Sequence, residues 1–283
     1  MIIDIICPLY NAENDVENLH KSLLMQKNVK INEIKYVLTK SNDNTESKLN
    51  ELNIKYKKIK KEEFSHSLTR EEAVFESKAD IIVFVTQDVK IERDDWLYNL
   101  TKDIENGLVE ACYSRQLCNN NTIEKYTREY NYPKQSRIVS NKDINKLGLK
   151  TFFFSDASSA IKRETFVKMN GYDNKSLVIN EDMYIAYKLI TRGYKIKYCA
   201  ESEVVHSHQF NIKQYYNRYK DIGKFFKENS YFNYYKVNKT GWSMAVYVLK
   251  RAIQDKNWIA LIKYIPNMTV RFVGMKIGKI IKK

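Results

Sequence analysis

The sequence predicts an α/β protein: a mostly parallel sheet flanked by helices, followed by a basic helical extension. Three observations predict it. Short β-branched runs at 2–7, 34–38, 54–59 and 81–85 alternate with segments of helical spacing, the pattern of βαβ units. The run Ile81–Val85 is apolar throughout, as a strand covered on both faces must be. The charge is also uneven. Of a net +14, residues 206–283 hold 16 Lys and Arg against 3 Asp and Glu, so about +1 remains for the first 205.

In chain order, residues 2–7 form a strand stopped by Pro8, and 9–12 turn the chain. Residues 14–26 carry Val16, Leu19, Leu23 and Leu24 at helical spacing. A second strand at 34–38, a short helix at 48–52 and a third strand at 54–59 follow, then a loop at 64–69 and a helix at 70–77. After the central strand, Trp96–Glu105 is amphipathic and stops at Gly107. Residues 109–115 are a strand, and 119–146 a long polar loop with helical pieces. Residues 151–155 and 158–161 read as one interrupted strand. Residues 164–169 and 182–192 read as helices closed by Gly171 and Gly193. Residues 194–199 and 203–206 read as two edge strands. In the extension, helices are expected at 213–227, 242–253, 258–264 and 270–283.

Composition narrows the function. The N-terminus has an acid at position 4 and no basic segment, unlike a signal peptide. No run reaches the roughly 18 apolar residues of a spanning helix. The four cysteines match no zinc or disulfide pattern and read as reduced thiols. A near-neutral body with a basic tail points to an anionic partner. Val273, Ile277, Ile280 and Ile281 flanked by lysines suit a helix in a membrane interface, or one packed on the body with a solvated lysine face. Tyr and Phe among Lys and Arg also fit single-stranded nucleic acid, but they fall on a helical period, and the acidic sites of the body would repel phosphate.

Four clusters carry candidate chemistry. Thr86-Gln87-Asp88 ends the central strand, where open α/β sheets collect ligands. Asp88 there either holds a divalent metal, and through it a diphosphate, or opens a turn. Asn180-Glu181-Asp182 starts a helix, where the macrodipole favours carboxylates. It is an N-cap or the source of a general base. His206-Ser207-His208 holds two of the four histidines. Alternate strand residues share a face, and imidazole with carboxylate suits Mn²⁺ or Mg²⁺; a pair of surface histidines is the other reading. In Phe64–Arg70, a helix start and the Arg70 fork can hold a diphosphate or an acceptor anion, while capping by Ser67 or Thr69 explains the residues equally well.

Read together, I-I-D-I-I-C-P-L-Y-N, F-S-H-S-L-T-R, V-F-V-T-Q-D-V, F-F-F-S-D-A-S-S-A-I-K-R, N-E-D-M-Y-I-A-Y-K-L-I-T-R-G-Y-K-I and V-V-H-S-H-Q-F with R-Y-K-D-I-G-K-F-F run collinearly over about 1–228. In that order they resemble the family 2 glycosyltransferases of GT-A fold, and more narrowly their bacterial rhamnosyltransferase branch. The resemblance implies a catalytic domain at 1–208, with a nucleotide-sugar half over about 1–90 and an acceptor half over about 91–208, and an extension at 209–283. It implies that Asp88 binds the metal with Gln87 beside it, and that His206 or His208 completes the site. Asp182 is the implied base, and Glu181 orients it or meets the acceptor. Pro8, Tyr10 and Asn11 flank the nucleotide, and His66 and Arg70 lie near the donor. Two departures stand out. Thr39 or Leu38 replaces the family's base-reading Asp, with Asp43 nearby. Ser155-Asp156, on the acceptor side with Ser159, replaces Ser-Asn.

The implied activity is inverting, metal-dependent transfer of a sugar, best rhamnose from dTDP-rhamnose, onto a hydroxyl of a growing, polyprenyl-diphosphate-linked cell-surface polysaccharide. A UDP-hexose enzyme is the nearer alternative and a nucleic-acid-binding protein the more distant one. The expected setting is the inner face of the cell membrane, with the enzyme cytoplasmic and peripheral, the tail on anionic lipid, no nucleic-acid partner, and a homo-oligomer left open.

Overall fold

The computed structural model describes residues 1–236 and 240–281. The chain divides into two compact units. The first holds Met1–Gln116, Lys134–Asn141 and Phe152–His206; the second holds Leu117–Pro133, Lys142–Thr151 and Ser207–Lys283.

The first unit is built on a sheet whose strands, numbered along the chain, are β1 (Ile2–Leu9), β2 (Lys30–Thr39), β3 (Tyr56–Ile59), β4 (Ile81–Val85), β5 (Ala111–Leu117), β6 (Arg137–Val139), β7 (Ser158–Lys162) and β8 (Ile196–Val205). They lie in the order β3-β2-β1-β4-β7-β5-β8-β6. Pairing is parallel from β3 through β4. It is antiparallel where β7 meets β4 and β5, and where β6 meets β8. The helices are α1 (Val16–Leu24), α2 (Thr45–Glu51), α3 (His66–Glu76), α4 (Trp96–Glu105), α5 (Ile123–Asn131), α6 (Ile144–Leu147), α7 (Arg163–Lys168), α8 (Glu181–Thr191), α9 (Ile212–Glu228), α10 (Thr240–Gln254) and α11 (Trp258–Ile280). Of these, α1–α4, α7 and α8 cover the sheet's unit.

Every residue of β4 is buried, as its apolar run requires. Trp96 is the largest fully buried side chain. Its indole N–H lies 3.1 Å from the hydroxyls of both Ser114 and Ser158, and Ser202 donates to its carbonyl. Helix α4 is thereby tied to β5, β7 and β8 through one satisfied polar cluster. Cys7, Cys112 and Cys199 are buried and unbridged.

Several elements depart from their expected bounds for physical reasons. Pro8 does not stop β1, which pairs with β2 as far as Leu9. Its pairing with β4 ends at Ile6, so Pro8 has a neighbour on one side only and can spare its N–H. The two edge strands expected at 194–199 and 203–206 are one strand, β8, lying between β5 and β6. The expected gap at 200–202 is closed, and the acids at and beside it are met within the strand: Glu201 accepts from Ser136 and Arg115 pairs with Glu203. Residues 151–155 form no strand; a 3-10 turn at Gly148–Phe152 takes their place.

The second unit packs α10 and α11 on α5 through Ile123, Tyr126, Val248, Ala252 and Ala260. Lys125–Asp255 and Arg251–Glu129 pairs lie at 3.0 and 3.1 Å. The helices expected at 258–264 and 270–283 are a single helix, α11, running through Pro266; Lys282 and Lys283 lie outside the described residues. An interior proline costs about 3 kcal/mol, which packing on α9 offsets. At Gly223, Gly274 and Gly278 the two backbones approach so closely that a Cβ on Gly274 would sit 2.6 Å from the Tyr216 carbonyl oxygen, and one on Gly278 would overlap that of Lys220.

Gly278→Ala tests this contact. In an open helix the change would stabilise by up to about 1 kcal/mol. Here overpacking is expected to reverse the sign and destabilise by about 1–3 kcal/mol, read as a lower urea midpoint with an unchanged slope.

Candidate active site

The carboxyl end of β4 leads into Thr86, Gln87 and Asp88. Lys90 and Val205 then exchange backbone hydrogen bonds of 2.8 and 2.9 Å, so the loop after β4 is held to the end of β8. His206 follows Val205, and its Nε2 lies 3.2 Å from Asp88 Oδ2. His206 Nδ1 is 2.9 Å from Gln116 Oε1, and Gln116 donates its amide N–H to Ser155 Oγ at 2.7 Å. With the Gln116 oxygen facing it, Nδ1 is the nitrogen that carries the proton in the neutral ring. Nε2 then presents a lone pair to a carboxylate oxygen. The contact is either a hydrogen bond or two donors placed to share a metal. A carboxylate with a neutral imidazole is a donor set that fits a hard divalent ion such as Mn²⁺ or Mg²⁺, and Gln116, bonded to the far nitrogen, fixes the ring's orientation. His208, two residues on, belongs to the second unit. There its N–H donates to Glu124, its carbonyl accepts from Asn120, and its ring stacks on Phe210.

Gln87 is held by both ends of its amide, accepting from the Tyr10 N–H at 2.7 Å and donating to the Tyr10 carbonyl at 2.9 Å. The tip of β1 is thereby joined to that of β4. Asn11 adopts φ 49°, takes Ser41 Oγ on its N–H and accepts from Asn42. Pro8 is half-buried within β1, and Tyr10 is exposed with the Lys61 ammonium over its ring. Asp43 accepts from the Thr45 hydroxyl (2.6 Å) and the Glu13 N–H (3.1 Å). Burial alone would raise its carboxyl, but these hydrogen bonds outweigh it and lower it from the ordinary value. Asp43 is thus a brace between the loops after β1 and β2. Thr39 and Thr86 carry hydroxyls that are buried and have no partner among the described residues. Asp15, beside Asp88, is raised by burial and then by the Asp88 charge.

The third cluster surrounds Arg70. Its guanidinium was expected to offer a fork to an anion, but the residue is 2% exposed and turned inward. One arm donates to Glu181 Oε1 at 3.2 Å and to the His66 carbonyl at 2.8 Å. The His66 ring lies 4.0 Å from the same Glu181 oxygen. Burial works against the Arg70 charge; Glu181, Asp156 and Asp182 sustain it and leave its pKa above the ordinary value. Glu181 opens α8 after Asn180, whose φ is 60°. Asp182 is half-buried in the same turn and receives the Met183 N–H. Asp156 is buried, and both its oxygens are taken, one by Ser159 at 2.8 Å and the other by the Tyr172 hydroxyl at 2.9 Å. Burial raises its carboxyl, with Arg70 opposing. Ser155 faces Gln116, and Ser159 is fully buried.

Gln116 and Tyr172 escaped sequence reasoning. Gln116 stands in an ordinary strand, where nothing local separates it from a solvated glutamine. Tyr172 follows the helix-closing Gly171 and reads as a core aromatic.

Residues 4–169 match the model of the glycosyl transferase family 2. The chain belongs to that family and is a glycosyltransferase. The O-antigen chain rhamnosyltransferase RfbN of Salmonella typhimurium is 34% identical over 229 residues, which span 80% of this chain and 72% of that one. WbaN of Salmonella anatum, also an O-antigen chain rhamnosyltransferase, is 36% identical over 170 residues, 59% of this chain and 54% of that one. Among solved structures, the mannosyltransferase PcManGT of Pyrobaculum calidifontis, in complex with GDP-Man and Mn²⁺, superposes with a TM-score of 0.63 at 16% identity. It covers 98% of this chain and 86% of its own. The fold is thus the GT-A fold expected from the sequence.

Asp156→Asn removes a buried acid and keeps one acceptor oxygen; its amide N–H then donates to whichever of the Ser159 and Tyr172 hydroxyls that oxygen does not meet. Because the folded carboxyl sits above its unfolded value of about 3.9, the folded state binds the proton more tightly, and the wild type loses stability as pH rises from about 4. The stability difference is therefore expected to shift in favour of the Asn variant from acid toward neutral pH. Urea midpoints at several pH values check this; a shift the other way would mean that Arg70 dominates the site.

Proposed function

We propose that this enzyme transfers rhamnose, with inversion, from a dTDP-sugar to a hydroxyl of a growing, lipid-linked cell-surface glycan. The observation that carries the reading is the facing pair of Asp88 and His206 beyond the sheet's carboxyl ends, in a chain 34% identical to an O-antigen rhamnosyltransferase. When bound by Asp88 and His206, a divalent cation supplies charge neutralisation for the departing nucleoside diphosphate.

The rest of the work falls to side chains. Asp182 receives the proton of the acceptor hydroxyl, whose oxygen attacks the anomeric carbon opposite the diphosphate. Glu181, held by Arg70, orients Asp182 or meets the acceptor, so Arg70 acts by positioning. Tyr10, Asn11 and Pro8 frame the nucleotide, with Gln87 and Asp43 bracing their loops. Ser155 and Asp156 shape the acceptor side. Thr39, with its buried unpartnered hydroxyl, lies where the base would be read, and this keeps a UDP-hexose donor as the second reading. The proposed setting is the inner, cytoplasmic face of the cell membrane, reached peripherally. Among the described residues no helix is long and apolar enough to cross a membrane.

Thermal shifts with dTDP, UDP and GDP, each with and without Mn²⁺, test the donor. At 100 times its Kd, a ligand stabilises by about 2.7 kcal/mol. The largest shift is expected for dTDP with Mn²⁺, and Asp88→Asn should abolish the metal-dependent part. A larger shift with UDP would replace the donor and keep the family. Asp182→Asn is expected to lower kcat by about a hundredfold to ten-thousandfold while preserving the nucleotide shift; an active variant would remove Asp182 as base.

A further inference from the structure

We propose that α10 and α11 form a docking surface for an anionic lipid bilayer, inserting two tryptophans and a row of isoleucines between flanking lysines. This deepens the peripheral placement proposed above and is independent of the donor's identity.

Each helix has two apolar faces, and only one is used inside the unit. On α10, Met244, Val248 and Ala252 face the core shared with α5 and α11. Trp242, Val246, Leu249 and Ile253, at spacings of 4, 3 and 4, form a separate exposed stripe. On α11, Ala260, Asn267, Arg271, Gly274 and Gly278 are buried. Trp258, Ile262, Ile265 and Phe272 recur at spacings of 4, 3 and 7 on an exposed face, and Ile280 ends the helix exposed. The exposures are high: 75% for Trp242, 70% for Trp258 and 77% for Ile262. Exposed apolar rows at helical spacing mark a binding face rather than scattered side chains.

Charge identifies the occupant. Residues 240–280 hold seven Lys and Arg against a single acid, Asp255, which is itself paired with Lys125 and Arg251. Lys250, Lys256, Lys263, Lys276 and Lys279 are all exposed. A second copy would bring like charge against like. A nucleic acid would gain nothing from isoleucines, which do not stack on bases. An anionic leaflet satisfies both halves of the pattern, since acyl chains take the apolar stripe and headgroups take the lysines. Tryptophan, with an apolar body and a polar N–H, belongs at that boundary.

The test uses intrinsic fluorescence and cosedimentation of the full chain with phosphatidylcholine vesicles, with and without phosphatidylglycerol. Of the three tryptophans, Trp96 is buried in the first unit's core, so lipid-induced change reports Trp242 and Trp258. A blue shift and cosedimentation are expected only with the anionic vesicles, weakening with salt. Ile262→Glu should reduce binding on the order of tenfold or more. Lys263→Glu combined with Lys276→Glu should abolish the anionic preference, and both variants should keep the nucleotide shift. Absence of vesicle binding, or binding indifferent to phosphatidylglycerol, would overturn the proposal. So would a concentration-dependent dimer that shields Trp242 and Trp258 without lipid. A chain that ignores vesicles but responds to nucleotide loses the docking surface alone; one that binds vesicles but no nucleotide loses the transferase site alone.

Discussion

Two backbone hydrogen bonds between Lys90 and Val205 hold together most of the candidate site. In the sheet, β8 lies three places from β4, so the segment after β4 has to reach across β7 and β5 to meet it. Once Lys90 is bonded there, Asp88 and His206 face each other without any direct attraction having to draw them together. Gln87, two atoms of which are committed to Tyr10, fixes the same segment from the other side. A single loop is therefore clamped at both ends, and the carboxylate between the clamps has little freedom left. Preorganisation of this kind is what an electrostatic site needs, because charge that is already in place does not have to reorganise when the substrate arrives.

Below that loop lies a buried charge cluster of one guanidinium and two carboxylates, Arg70 with Glu181 and Asp156, closed by the Tyr172 hydroxyl. Such clusters add little net stability, since desolvation offsets most of the attraction. Their value here is in geometry. Glu181 cannot swing away without taking from the buried Arg70 its largest counter-charge, and α8 is thus anchored at its first residue, beside Asp182. The same argument explains why a cation in an F-S-H-S-L-T-R segment ends up inside rather than at a ligand: a carboxylate from a residue 111 positions away reaches it first.

What was legible in the sequence were features whose cause is local. Ile81–Val85 and Trp96–Glu105 emerge with their expected bounds, because a continuous apolar run and an amphipathic period each carry their own signal. That Asp88 would meet His206 or His208 was implied by the family resemblance, and the structure sets His206 against it. Illegible were features decided at a distance. Strand β8 keeps Glu201 and Glu203 because Ser136 and Arg115, far along the chain, meet their carboxylates. Helix α11 passes through Pro266 because α9 supplies a glycine-lined contact. Gln116 matters because the fold sets it against His206. In each case the partner residue is many positions away, and no window of sequence contains both.

The hydroxyls of Thr39 and Thr86, at the carboxyl ends of β2 and β4, are buried without a partner among the described residues. A buried polar group without a partner costs about 1–3 kcal/mol, and folding bears that cost whether or not a substrate is present. A ligand able to give or take a hydrogen bond there recovers it on binding. Replacing either threonine by valine, equal in shape and without the hydroxyl, would make the empty enzyme sturdier and its hold on such a ligand weaker.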